Sequence, residues 1–74
     1  MKVQSGRYRH FKGNDYEVIG VATHSETREP LVIYRPLYGN RELFARPLSM
    51  FTEIVERDGK RQERFKYIGP MGAA

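Results

Sequence analysis

The apolar residues of this chain come in short runs, often of period two, and glycine, proline, asparagine or aspartate cuts them every few positions. Such punctuation favours short strands joined by tight turns over amphipathic helices. Residues 7–11 read as a first strand. Lys12-Gly13-Asn14-Asp15 reads as a turn in which Gly13 and Asn14 tolerate positive φ. Residues 16–24 form the clearest strand, with Ile19 and Val21 on one face and Tyr16, Val18, Gly20 and Ala22 on the other. Both faces are apolar over residues 18–22, which places this strand centrally, and Gly20 marks a bend, a bulge or a close backbone approach.

Ser25 to Pro30 is a polar loop, and residues 31–34 are a run rich in β-formers. Pro36 cannot donate to a ladder and ends that strand or lies on an edge. Tyr38-Gly39-Asn40-Arg41 makes a turn, residues 42–46 a short strand that Pro47 breaks, and Leu48-Ser49-Met50-Phe51 a single helical turn. Residues 51–56 and 61–67 flank Asp58-Gly59, a hairpin signal; a helix over residues 51–57 competes with the first of these strands. The expected fold is all-β: a small SH3-like, partly open barrel of five to six short strands, with one short helical turn. At 74 residues the chain is one domain, with an ordered core over about residues 6–67 and a loose tail over 69–74. The expected core is Val18, Ile19, Val21, Leu31, Ile33, Leu43, Phe51, Ile54 and Val55. A core this small predicts modest stability, as a monomer or a weak homodimer.

Charge is distributed unevenly. Residues 1–12 hold Lys2, Arg7, Arg9 and Lys12 and no acid, for +4. Residues 13–56 hold four arginines against seven acids, for −3, and residues 57–74 hold five bases against two acids, for +3. If the first and last strands lie together, they form one basic strip, which serves either an anionic partner or the protection of strand edges. There is no cysteine, so disulfides, thiolate metal sites and cysteine nucleophiles are excluded. No apolar run is long enough to span a membrane, the first residues do not resemble a secretion signal, and a cytoplasmic location is expected.

Gly6-Arg-Tyr-Arg-His-Phe-Lys-Gly13 interleaves cations and rings, as binding of a phosphate backbone and flat bases requires. Tyr8 and His10 share one face of the first strand; Arg7, Arg9 and Phe11 share the other. Tyr34-Arg35-Pro36-Leu37-Tyr38 repeats the mixture. The candidate ligand-binding residues are Arg7, Arg9, His10 and Lys12 for charge and hydrogen bonds, Tyr34 and Tyr38 for stacking, and Arg46 for a phosphate or carboxylate. The competing structural role puts Tyr8, Phe11 and Tyr34 in the core or barrel rim with arginines stacked over them. Two other functions stay open. A peptide-binding module would present Tyr8, Tyr34, Pro36 and Tyr38 to an extended acidic segment. A small metal- or acid/base-dependent enzyme would need Arg9, His10, His24 and Glu26 in one pocket. No zinc-ligand spacing, catalytic triad or glycine-rich phosphate loop supports the last of these.

Tyr8-Arg9-His10-Phe11-Lys12-Gly13, Tyr16, Ala22-Thr23-His24-Ser25-Glu26-Thr27, Val32-Ile33-Tyr34, Leu37-Tyr38, Arg46-Pro47 and Met50-Phe51 follow in an order that resembles a small, mostly bacterial family, domain of unknown function 1653. The resemblance covers about residues 6–55. It implies a compact β-rich cytoplasmic domain, and it carries over no catalytic residue, metal or cofactor. The chain departs from the family at Phe44, where tryptophan is common, and at Arg28, where a non-basic residue is common. The combined expectation is a non-enzymatic domain that binds RNA, DNA or a nucleotide-like ligand.

Overall fold

A computed structural model describes residues 3–72. Seven strands and one helical turn follow in the order β1 (Gly6–His10), β2 (Asp15–Thr23), β3 (Pro30–Pro36), β4 (Phe44–Pro47), α1 (Leu48–Phe51), β5 (Ile54–Arg57), β6 (Lys60–Glu63) and β7 (Phe65–Gly69). Five of them form one antiparallel sheet in the order β4-β3-β2-β1-β7, and β5 and β6 form a separate hairpin. The all-β expectation holds, with seven strands where five or six were expected. The sheet does not close into a barrel, because its outer strands β4 and β7 do not pair. It curls nonetheless: Phe65 on β7 lies 5.6 Å from Tyr34 on β3 and 5.6 Å from the Arg46 guanidinium on β4.

Local chemistry explains the boundaries. Asp58 and Gly59 take φ of 53° and 77° between the paired residues Arg57 and Lys60, the two-residue turn whose twist suits a hairpin. Gly6 has φ 141°, and a Cβ there would stand 2.7 Å from the Gly69 carbonyl oxygen, so β1 and β7 cross where only glycine fits. The stretch read as one strand over residues 61–67 is split at Arg64. Its N–H donates to the Glu53 carbonyl at 3.0 Å, and its carbonyl accepts from the Phe11 N–H at 2.9 Å. The backbone there leaves one sheet for the other, and Phe65 turns inward. Gly69, assigned to the tail, instead pairs with Arg7 at the end of β7. Residues 73–74 of that tail, and Lys2 of the N-terminal charge, lie outside the described residues.

The core departs most from expectation. It consists of Tyr8, Val18, Val32, Tyr34, Phe51 and Phe65, so only Val18 and Phe51 of the expected list are in it. Ile19, Val21, Leu43 and Ile54 are exposed, and Leu31, Ile33 and Val55 are half-buried. The reason on β2 is a bulge. Val18 pairs with Tyr34 and Gly20 with Ile33, leaving Ile19 as the extra residue and reversing the alternation beyond it. On β3 every position is apolar or amphipathic, and the pairing with Val18 selects the Val32, Tyr34 and Pro36 side for the interior. Aromatic rings then fill the space that aliphatic side chains were expected to fill. Phe51 from α1 stacks on Phe65 at 4.2 Å with 3° between planes, and Tyr8 and Tyr34 each meet Phe51 edge-on at 5.4 Å. Such pairs add about 0.5–1.5 kcal/mol each beyond their area burial. Among the described residues no helix is long and apolar enough to cross a membrane.

Candidate functional site

Alternation along β1 separates the candidate residues onto two faces. Arg7 and Arg9 point outward and converge on one carboxylate: Arg7 Nε donates to Asp15 at 2.8 Å, and Arg9 reaches both Asp15 oxygens at 2.7 and 3.1 Å. The Arg9 hydrogen bonds, with Arg7 adding to them, hold the Asp15 carboxyl below the usual carboxylate range, and Asp15 in turn raises the Arg9 guanidinium. Beside them Arg35 pairs with Glu17 at 2.9 Å. Lys66 lies opposite Arg9, since β1 and β7 are neighbours. The first and last strands therefore do lie together, but acids already partner much of the basic strip they form.

Tyr8 and His10 point inward, and Tyr8, only 6% exposed, is core. Its hydroxyl donates to the Gln4 carbonyl at 2.7 Å. Tyr34 is buried at 5% exposure, so its ring packs inside the domain and does not offer a face to a base. Of the residues proposed for a peptide groove, Tyr8, Tyr34 and Pro36 are buried and only Tyr38 is exposed. The Tyr38 hydroxyl lies 3.1 Å from that of Tyr16. Burial, then the Tyr38 hydroxyl, push the Tyr16 phenol up to about 12. Arg46 donates from Nε to the Tyr34 hydroxyl at 3.1 Å while its guanidinium lies over Phe65.

His10 links this aromatic interior to the basic surface. Its ring meets Phe65 edge-on at 4.9 Å and lies 4.5 Å from Phe11. Its Nδ1 accepts the Lys12 backbone N–H at 3.1 Å, leaving Nε2 to carry the proton of the neutral ring. Burial first, then the nearby Arg64, Lys12 and Arg46 charges, lower its pKa. Phe11, next in sequence, has three cations near its ring: Lys12 Nζ at 5.9 Å, and the guanidinium carbons of Arg57 and Arg64 at 5.9 and 6.0 Å from its centre. Arg64 also pairs with Glu53. A groove of about 360 Å³ runs beside this group, lined by Arg9, His10, Phe11, Glu63 and Lys66 among others. A second cleft of about 390 Å³, between Val3, Tyr8, Phe51, Ile54 and Tyr67, is mainly apolar, and among the described residues no basic one lines it.

The fold thus brings His10, Lys12, Tyr38 and Arg46 to one end of the curled sheet, around Tyr16 and Phe65, and turns Arg7 and Arg9 to the outer face, where Arg9 still borders the groove beside His10 and Phe11. Sequence reasoning missed Phe11 as a site residue, and missed Arg57 and Arg64 as its neighbours. The signal was the positive excess after residue 56, which gives a charge but no address until the β5–β6 hairpin is placed.

The residues required for an enzyme do not converge. His24 Nδ1 accepts the N–H groups of Glu26 at 3.1 Å and Thr27 at 3.2 Å, organising its own loop. The His10 N–H bonds to the Asn14 carbonyl, and the extended chain from Asn14 to His24 spans roughly 30 Å. Among the described residues no group of three metal-binding side chains comes together.

No curated relative matches the chain. A crystal structure of a protein of the DUF1653 family from Bordetella bronchiseptica is similar, with 34% sequence identity, a TM-score of 0.85, and 97% of this chain and 95% of that one covered. The family model described as "Protein of unknown function (DUF1653)" matches residues 6–67, and the chain belongs to that family.

Proposed function

We infer that this domain is a non-enzymatic binding module for single-stranded nucleic acid or a nucleotide-like ligand, and that Phe11 is the centre of its site. The observation that carries this reading is the half-buried Phe11 ring with Lys12, Arg57 and Arg64 within about 6 Å of it. A base stacks on a flat ring whatever its sequence, and cations close to that ring hold the adjoining phosphates. Arg9 and Lys66 add positive charge along the groove beside the His10 ring, while Tyr38 and Arg46 stand at the same end of the sheet, around Tyr16 and Phe65. Arg7 and Arg9 contribute less than their charge suggests, because Asp15 already binds both. The domain would act in the cytoplasm, and a chain without cysteine suits that reducing compartment.

The test is an amide and aromatic NMR titration at low salt with mixed-sequence single-stranded RNA, the equivalent DNA and an acidic peptide. The expected result is a set of shift changes centred on Phe11, Lys12, Arg57 and Arg64 with either nucleic acid, lost in Phe11→Ala and weakened by added salt. Changes produced only by the acidic peptide would replace this reading with protein binding. No change at these residues with any ligand would remove it.

A further inference from the structure

One edge of the sheet has the features of a surface that pairs with itself. Among the described residues β4 bonds only to β3 and leaves its other side unpaired. Leu43 is 60% and Phe44 43% exposed there, an unusual density of apolar surface for a free strand edge. Arg46 stands two residues after Phe44 on β4, and Glu42 two residues before it, just outside the strand; extending β4 back by two residues on pairing puts Glu42 on the Phe44 face. Among the described residues neither has an oppositely charged partner within 4.0 Å. We propose that β4 is a self-association surface, on which a second copy of this chain adds its own β4 antiparallel, with the two Phe44 residues meeting on a two-fold axis.

The geometry of antiparallel pairing supplies the argument. Placing Phe44 opposite Phe44 of the second copy puts Glu42 opposite Arg46 of that copy, and the symmetry makes the same pair again on the other side. Leu43 then meets Ala45 of the second copy on the other face. Arg46 keeps its contacts with Tyr34 and Phe65 but has no opposite charge within its protomer, so it and Glu42 are complementary across the axis. The segment is also bounded for this use. Arg41 has φ 54°, which ends an extended strand, and Pro47 has no N–H to donate. Pairing is confined to residues 42–46. A contact of that length falls below the roughly 1,200 Å² of a stable specific interface, so the dimer is weak. Arg46 and Tyr38 stand at this end of the sheet, so association would set two copies of the basic and aromatic end side by side. The proposal stands on the edge alone and does not depend on any ligand.

Sedimentation velocity from about 10 µM to about 1 mM measures it, with a dissociation constant of roughly 10⁻⁴ M expected. Glu42→Arg weakens association about tenfold, as loss of two exposed ion pairs and gain of two repulsions predicts. Arg46→Glu does the same, and the double variant, Glu42→Arg with Arg46→Glu, recovers association. Arg46 also touches Tyr34, so an isotope-filtered NOE experiment on mixed labelled and unlabelled wild-type protein gives a readout that no variant can spoil. Intermolecular contacts between Phe44 rings and between Leu43 and Ala45 are expected. A chain monomeric at 1 mM, an association indifferent to Glu42→Arg, or intermolecular contacts at another surface would each overturn the proposal.

Discussion

Gly6→Ala tests how closely the first and last strands approach. The added Cβ would stand 2.7 Å from the Gly69 carbonyl oxygen and 3.0 Å from Tyr67 Cε1. The first neighbour is backbone, so it cannot swing aside, and a carbon–oxygen contact that short needs about 0.5 Å of relief. That displacement falls on the Arg7–Gly69 pair beside the register shift of β7, weakening ladder bonds with a net contribution of about 0.5–1.5 kcal/mol each. The φ of 141° adds its own penalty for an L-residue, of about 1–3 kcal/mol. Together these cost about 2–4 kcal/mol, a large share of the stability of a small domain. At about 4–8 °C per kcal/mol, Tm falls by about 8–32 °C. Thermal unfolding followed by circular dichroism measures it, with Gly20→Ala as the control. Gly20 has an ordinary φ and no heavy atom within 4 Å of the added carbon, so that variant stays within about 1 kcal/mol of wild type or gains slightly. Equal losses in the two variants, or a Gly6→Ala loss below about 1 kcal/mol, would refute the reasoning.

Asp15→Asn should alter the acid limb of the stability curve. Arg9, and then Arg7, depress the folded Asp15 pKa, so the stabilisation is complete above the unfolded value near 4 and disappears as pH falls through the lower folded value. The Tm values of wild type and variant therefore converge between about pH 5 and about pH 2, and a gap that persists below that range would count against the ion pair. Tyr16 acts at the other limit. Its folded pKa is raised to about 12, so its contribution is intact below the ordinary tyrosine value and is lost as pH rises through the folded one. In an NMR titration the Tyr16 ring carbons should stay at their neutral shifts at pH about 10.5, and ionisation there at that pH would contradict the buried, hydroxyl-paired environment.

The turns were legible from sequence because their residues carry intrinsic conformational demands. Asp58-Gly59 forms a two-residue hairpin whatever surrounds it, and Pro47 ends β4 and begins the predicted helical turn. The sides of the strands were less legible. Leu31-Val-Ile-Tyr34 is apolar at both parities, and hydropathy ranks Leu31 and Ile33 above Tyr34. The interior went to Val32 and Tyr34 because cross-strand pairing with Val18 decides the face, and that register depends on a bulge which Gly20 marks in the sequence without saying that Ile19 is the extra residue. Aromatics were read as ligand surface for the same reason: Tyr8 and Tyr34 have polar tips, and a sequence does not show that those tips meet the Gln4 carbonyl and the Arg46 guanidinium. Of the candidate residues, His10, Lys12, Tyr38 and Arg46 were gathered at one end, because β1 ends, and β3 leads out, on the same side of the sheet.

Arg64 ties that end of the sheet to the hairpin, and the two should open together. Its N–H and carbonyl bond to Glu53 and Phe11, its guanidinium pairs with Glu53 and lies beside the Phe11 ring, and its buried Nε has no acceptor among the described residues. Little else pins the hairpin at this end: β5 and β6 pair only with each other, and β6 is exposed at every position. The hairpin is therefore a unit of low local stability, fastened through Arg64 to the strand that carries Phe11. In native-state hydrogen exchange the amides of Phe11 and Arg64 should share one opening free energy, below that of Val18 and Val32 in the central strands. Arg64→Ala should lower that shared value by about 1–2 kcal/mol, since it removes an ion pair, a cation–π contact and buried side-chain packing. Independent exchange of the two amides would mean that the hairpin is held elsewhere, and that the cations around Phe11 are not delivered by a single movable element.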